Sequence, residues 1–396
     1  MTDLHLMTPL LSPHSPLDNP ARALIADLFE RERQLMIALP TDDPLDPKRR
    51  RRVDFTRPEI LEQPDCIRQT LTAGHDSIAE AARRIAASPL RRVVMTGCGD
   101  SLAVMTGVRM LMEQMTGLPC EPIQALDLAY YQHATLGPDT LLIALSSSGT
   151  TTRTVEALMM ARARGAQTLA LSNTAGSPLM SQADHQLLII AERKGWPTQA
   201  STASMALLAR LALEIGVRRG VARTDTMLAA LDDIPAQIAA VIATHEDAIA
   251  RVAETDSARS VYLFAGGGPA MAVAMFGAAK VKECTPDHAI AIPLEEFHHY
   301  NSQKAGDPLF LIAPAGPSLP RAHDTAIEGR RWGGLIRAVV TGDEPRLDTE
   351  ADVVFRLPPV VEELSALVYS VPVQLYAYHL AMAKFRRAEA DAGSGS

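Results

Sequence analysis

The chain has 396 residues, 47% of them hydrophobic and 21% charged, which excludes a disordered chain and allows two domains with sizeable cores. A formal net charge of −8 argues against a nucleic-acid or anionic-membrane partner, while leaving room for a locally basic pocket. The cysteines Cys66, Cys98, Cys120 and Cys284 stand singly with no C-x-x-C pair. They signal neither zinc nor a disulfide framework, and with no signal-peptide pattern and no run of roughly 18 apolar residues the expected compartment is a reducing cytoplasm.

Residues 1–53 read as an appendage. Pro9, Pro13, Pro16 and Pro20 interrupt its start, and residues 21–39 have the spacing of an amphipathic helix. The run Lys48-Arg49-Arg50-Arg51-Arg52 reads as a solvated basic turn, with an anion-binding patch as the alternative. A first domain is expected over 54–222. From about Arg91 the pattern becomes strand, glycine-rich turn, helix: Val93-Val94-Met95 as a buried strand, Gly97-Cys98-Gly99-Asp100-Ser101 as a turn, and 102–115 as a helix. The apolar run Leu141-Leu142-Ile143-Ala144-Leu145 follows as a second strand, then the polar stretch Ser146-Ser147-Ser148-Gly149-Thr150-Thr151-Thr152, a helix over 154–163 and a strand over 168–171. Continuous apolar strands alternating with helices predict a parallel sheet covered on both faces.

The second half repeats this pattern over an expected domain of 223–396, which begins with a linking helix near 226–253. A strand at 259–264 leads into Gly266-Gly267-Gly268-Pro269-Ala270, where the first copy has its glycine turn. The helix starts also correspond, Ser101-Leu102-Ala103-Val104 against Ala270-Met271-Ala272-Val273. Strands at 309–313 and 338–341 and a closing helix over 362–384 complete an α/β unit that is a duplicate of the first.

Residues 146–152 place six hydroxyl side chains around one glycine between a buried strand and a helix. An anion there would meet backbone N–H groups at the positive end of a helix and several O–H donors. Ligands of open parallel sheets bind at the carboxyl ends of strands, where this loop lies. The donors suit a sugar monophosphate, and the P-loop lysine of nucleoside triphosphate sites is missing. Taken alone the stretch also reads as a polar turn with a helix cap. Ser101 and the helix start Ala200-Ser201-Thr202 are further hydroxyl groups in similar settings.

These motifs resemble the double-SIS family of sugar-phosphate isomerases, deaminases and deglycases, and among them the isomerase half of glucosamine-6-phosphate synthase. Arg57-Pro58-Glu59-Ile60-Leu61-Glu62-Gln63-Pro64 is similar to the family's "KEIYEQP", and Gly97-Cys98-Gly99-Asp100-Ser101 to "CGTS". The segment 145–151 is similar to "LSQSGET", Ala200-Ser201-Thr202 to "ASTK", Ala279-Lys280-Val281-Lys282-Glu283 to "LKLKE", and Gln374-Leu375-Tyr376-Ala377-Tyr378-His379 to "QLLAYH". The likeness runs in order over about 55–385. It implies two tandem SIS domains, each a flavodoxin-like three-layer α/β/α unit with a parallel sheet. It puts phosphate ligands at Ser101, Ser146, Ser148 and Thr151, and sugar contacts at Ser147 and Ser201. The proton-shuttling carboxylate falls on Glu283, the ring-opening histidine on His299, and a lysine lining the site on Lys280. In the family that histidine reaches across a dimer interface, so a homodimer is implied; no cofactor and no metal are expected.

The implied chemistry is locally sensible. A partly buried carboxylate with a raised pKa can move a proton between C1 and C2, and a histidine suits ring opening. Read alone, a glutamate beside Lys280 and Lys282 is a surface ion-pair residue, and Glu295-Glu296 with His298-His299 lacks the ligand spacing of a metal site. The second copy has Pro314-Ala315-Gly316-Pro317 where the first has hydroxyl residues, so it is not expected to hold phosphate. Several places depart from the family: His299-Tyr300-Asn301 for "HGP", Ser-Ser-Ser-Gly-Thr for "SQSGE", and Ala203 for the lysine of "ASTK". With no catalytic N-terminal cysteine after Met1 and no closing tail, glutaminase activity is not expected. The sequence therefore predicts a deaminase, deglycase or aldose–ketose isomerase of an (amino)sugar 6-phosphate. A non-catalytic sugar-phosphate sensor is the alternative.

Overall fold

A computed structural model describes residues 11, 15–300 and 302–394. Pro9, Pro13 and Asn301 lie outside the described residues. The chain begins with helix α1 (Asn19–Ile37), whose first turn is capped by the Asp18 side chain accepting from Ala21 N. Ala21, Ile25 and Leu28 form its buried stripe.

Helix α2 (Pro47–Leu61) corrects the expectation of a solvated basic turn. Asp46 accepts from Lys48 N and Arg49 N with proline at the next position, which starts a helix through the basic run. Once helical, the run points its arginines different ways. Arg49 is buried and donates to the carbonyls of Thr41 and Asp43, Arg50 pairs with Asp54, and Arg52 lies 3.6 Å over the Trp196 ring. The helix runs through position 53/54 and is followed by α3 (Gln63–Ala87).

The first sheet is built from β1 (Arg92–Gly97), β2 (Cys120–Gln124), β3 (Thr140–Leu145), β4 (Gln167–Ser172) and β5 (His185–Leu188). Its helices are α4 (Asp100–Thr116), a short α5 (Ala125–Asp127), α6 (Thr152–Ala163), α7 (Pro178–Ser181) and α8 (Gln199–Arg219). The long α9 (Thr224–Asp256) links to the second sheet of β6 (Val261–Gly266), β7 (His288–Pro293), β8 (Pro308–Ala313), β9 (Leu335–Thr341) and β10 (Val353–Leu357). Between these strands run α10 (Ala270–Cys284), α11 (Leu294–His299) and α12 (Leu319–Arg331), and α13 (Ser365–Ser394) closes the described chain.

All pairings are parallel, and the orders β2-β1-β3-β4-β5 and β7-β6-β8-β9-β10 are the same order twice. This is the doubly wound arrangement whose connections part between the first and third strands, leaving a crevice there. The central strands are the ones the apolar runs predict; β3 is buried at every position. The edge strands β2, β5, β7 and β10 escaped the sequence reading because they are short and only partly buried, without the continuous apolar run of the central strands.

One face of the first sheet, with Val94, Leu142, Ala144 and Ala170, packs on α6, and α1 packs on α6 in turn. The other face, with Val93, Met95, Leu141 and Ile143, belongs to a core that continues unbroken through Met105 and Met205 to Phe276 and Tyr376 of the second half. Gly107 of α4 permits this join. A Cβ there would lie 3.2 Å from Ala272 Cβ and Met205 Sδ, and 3.3 Å from Ala366 Cβ. Helices α8 and α9 are long and apolar enough to span a membrane by composition, and 83% of the most apolar stretch of α8 is buried in the fold, as for a core helix.

Candidate functional site

The crevice of the first sheet lies between the loops after β1 and β3. Gly97 ends β1, and a side chain on it would fall 2.5 Å from Ser101 Cβ and 3.1 Å from Leu145 O. Ser101 therefore sits over the joined ends of β1 and β3. In the second loop the Ser146 hydroxyl lies 2.8 Å from Thr151 Oγ1 and 3.4 Å from Ser148 Oγ, and accepts from Gly149 N at 3.1 Å and Thr151 N at 3.4 Å. Ser148 Oγ accepts from Thr150 N and Thr150 Oγ1. Gly149 makes the turn possible: its φ is 66°, and a Cβ would meet Ser177 Oγ at 2.0 Å. Hydroxyl groups thus gather at the positive end of α6, with Gly149 N and Thr151 N turned to the Ser146 hydroxyl.

The Ser147 carbonyl is held by Asn173 N and Ser172 Oγ, which fixes the loop to the end of β4. Ser201 opens α8, is buried, and donates to Asp100 Oδ2 at 3.4 Å. Asp100 is the residue the sequence reading missed. As the first residue of α4, immediately before Ser101, it also accepts from Lys280 Nζ at 2.6 Å. Lys280, 1% exposed, pairs with Glu283 three residues on along α10. Lys280, Glu283, Asp100 and Ser201 are therefore one cluster joining the second half to the first, with Ser101 adjacent. The aspartate was visible in the glycine turn, but nothing in the sequence tied it to a lysine 180 positions away.

The electrostatics follow from burial. Desolvation pushes the Glu283 carboxyl up to about 6, with the like charge of Asp100 adding to it and Lys280 working against it. Burial also works against the Lys280 ammonium, but its two carboxylate partners outweigh that and hold its pKa above the usual lysine range. The Glu283 side chain retains 29% exposure, so solvent reaches it. Arg52 contributes a further positive charge toward Glu283.

His299 has other surroundings. It ends α11, its side chain is 61% exposed, and its Nε2 lies 3.5 Å from Glu295 Oε1. Among the described residues no hydrogen bond or ion pair joins it to Glu283 or to the hydroxyl loop within one chain. Its neighbours turn elsewhere: Glu295 takes a bidentate contact from Arg321, and His298 Nε2 lies 3.0 Å from Thr325 Oγ1. The four cysteines are free thiols.

The two halves match the family described as SIS domain, over residues 88–214 and 256–384. Glutamine–fructose-6-phosphate aminotransferase (isomerizing) of Yersinia pseudotuberculosis is 31% identical over 343 residues, 83% of this chain and 56% of that protein. The corresponding protein of Pyrococcus horikoshii is 29% identical over 334 residues, 83% of this chain and 55% of its own length. The chain spans about half the length of these curated relatives. Among solved structures, the C-terminal domain of glucosamine-fructose-6-phosphate aminotransferase from Francisella tularensis superposes with a TM-score of 0.75 at 21% identity, covering 83% of this chain and 96% of that one. Glucosamine-6-phosphate deaminase from Thermotoga maritima superposes with a TM-score of 0.64 at 19% identity, covering 83% and 94%. With both halves matched and the strand order repeated, the chain belongs to the SIS-domain family, which it carries in two tandem copies.

Proposed function

We propose that this chain is a sugar-phosphate-processing enzyme, acting on an (amino)sugar 6-phosphate as a deaminase or deglycase or as an aldose–ketose isomerase. The observation that carries the reading is the placement of Glu283, solvent-reachable and raised to about 6, in one cluster with the turn that presents Ser101. A carboxylate of that pKa takes and returns a proton near neutral pH. In this reading Ser101, Ser146, Ser148 and Thr151 hold the phosphate, Ser147 and Ser201 face the sugar, and Glu283 moves a proton between C2 and C1. The names of the relatives, which include a glucosamine-6-phosphate deaminase and a tagatose-6-phosphate ketose/aldose isomerase, support the substrate class.

The exposed position of His299 supports a second element of the proposal. The chain works as a homodimer in which His299 of one copy completes the site of the other and opens the sugar ring. No cofactor or metal enters this scheme. The test is a thermal-shift screen of hexose 6-phosphates, amino-sugar phosphates and phosphorylated fructose–amino-acid adducts, followed by assays for ammonia, amino acid or isomer. A ligand at a hundred times its Kd adds about 2.7 kcal/mol of stability. Stabilisation by one class with product release is expected. Binding without product indicates a sensor, and no binding removes the phosphosugar reading.

A further inference from the structure

We propose that Asp100 is a positioning residue of the proton-transfer site: by engaging the Lys280 ammonium from the first domain, it leaves Glu283 free to change protonation state. The proposal rests on the reading of Glu283 as the proton-transfer group. Lys280 is buried and meets carboxylates from both halves, Asp100 Oδ2 at 2.6 Å and Glu283. Asp100 is held in turn by its place at the start of α4 and by the Ser201 hydroxyl at 3.4 Å. The family motif similar to this turn, "CGTS", has threonine where this chain has Asp100, so the second carboxylate is a feature of this sequence.

Charge counting shows why it matters. The groups facing Glu283 are Lys280 and Cys284 on its own helix, Asp100 on α4 and Arg52 on α2. Glu59, also on α2, faces Arg52. Beyond the end of α10, Asp287 and Lys384 of α13 neutralise each other at 2.8 Å. Arg52 has a carboxylate of its own in Glu59, so without Asp100 a proton arriving on Glu283 would leave the buried Lys280 ammonium with no carboxylate partner. With Asp100 that ammonium has two carboxylate partners. Glu283 can then accept a proton while the Asp100–Lys280 pair keeps the lysine satisfied.

The experiment needs no substrate, so its outcome is independent of whether the chain turns over a phosphosugar. The protonated-carboxyl infrared band of Glu283, identified by its loss in Glu283→Gln, is followed against pH in the full chain. The expected midpoint is about 6, falling by about one unit or more in Asp100→Asn and recovering in Asp100→Glu. Should D100N fail to fold, Asp100→Thr is read the same way. An unmoved midpoint in the folded variant, with or without lost thermal stability, overturns the proposal and leaves Asp100 as a strut between domains.

Discussion

The two crevices of this molecule share a strand order and differ in what fills them. In the first, the β3 loop turns serine and threonine hydroxyls and backbone N–H groups toward one point. In the second, the corresponding loop after β8 carries prolines and Gly316, and a Cβ on Gly316 would overlap the Glu362 carboxylate at 2.4–2.5 Å. The same carboxylate lies 3.6 Å from where a Cβ of Gly268 would be, in the other loop of that crevice. Burial raises its pKa, with Glu363 adding to the effect. In the proposed reading one copy offers donors to an anion from outside, whereas the other holds the Glu362 carboxylate. The frame is thus the same twice, while the loop chemistry differs, as a division between a binding half and a half contributing through α10 would require.

The sharpest way to break this comparison is to remove Glu283, the proposed acid–base group that the second half brings to the first. Glu283→Gln is expected to lower turnover on the true substrate by about 10²–10⁴-fold with phosphate affinity retained, measured by steady-state kinetics. Full turnover would end the enzyme reading. Next, Ser146→Ala removes the acceptor that organises Gly149 N and Thr151 N together with one donor, and should weaken sugar-phosphate binding by about ten- to a hundredfold. Ser318→Ala in the second copy, just before α12 as Thr151 is just before α6, removes an Oγ with no hydrogen-bond partner among the described residues and should leave binding unchanged. Isothermal titration of both variants decides whether the halves differ as described.

A stability measurement sharpens the contrast beneath the first loop. Glu156 of α6 is fully buried beside Arg153, and desolvation pushes its carboxyl up to about 7 against the pull of that guanidinium. Because the folded pKa lies above the unfolded one, the stabilisation is complete below the unfolded value near 4.5 and is lost as pH rises through 7. Chemical denaturation should find a loss on the order of 2–3 kcal/mol between pH 4.5 and 8 that Glu156→Gln largely abolishes. The smallest effect is expected at Glu362→Ala. Removing a half-buried carboxylate from the second crevice should change stability by less than about 1 kcal/mol and leave phosphate stoichiometry at one per chain. A second bound phosphate would show that the glutamate alone separates the two copies.

Much of the frame is legible in the sequence because it is written locally. Continuous apolar runs such as 141–145, bounded by turn residues, read as strands covered on both faces, and the glycine turn and hydroxyl loop follow them directly. The duplication is legible for the same reason. What could not be read is whatever depends on which distant groups meet. The basic run looked solvated until α2 laid Arg52 over Trp196 and buried Arg49. The edge strands carry too weak a pattern, and the Glu362 carboxylate reaches its crevice from 46 positions beyond Gly316.

By itself, then, the sequence determined two parallel α/β units and one loop chemically suited to an anion, since backbone periodicity and turn chemistry act over a few residues. Only the tertiary structure decided that Asp100 and Glu283 share Lys280. That meeting depends on α4 lying close against α10 at Gly107 and Ala272, and the burial produced there is what lifts the glutamate toward neutrality.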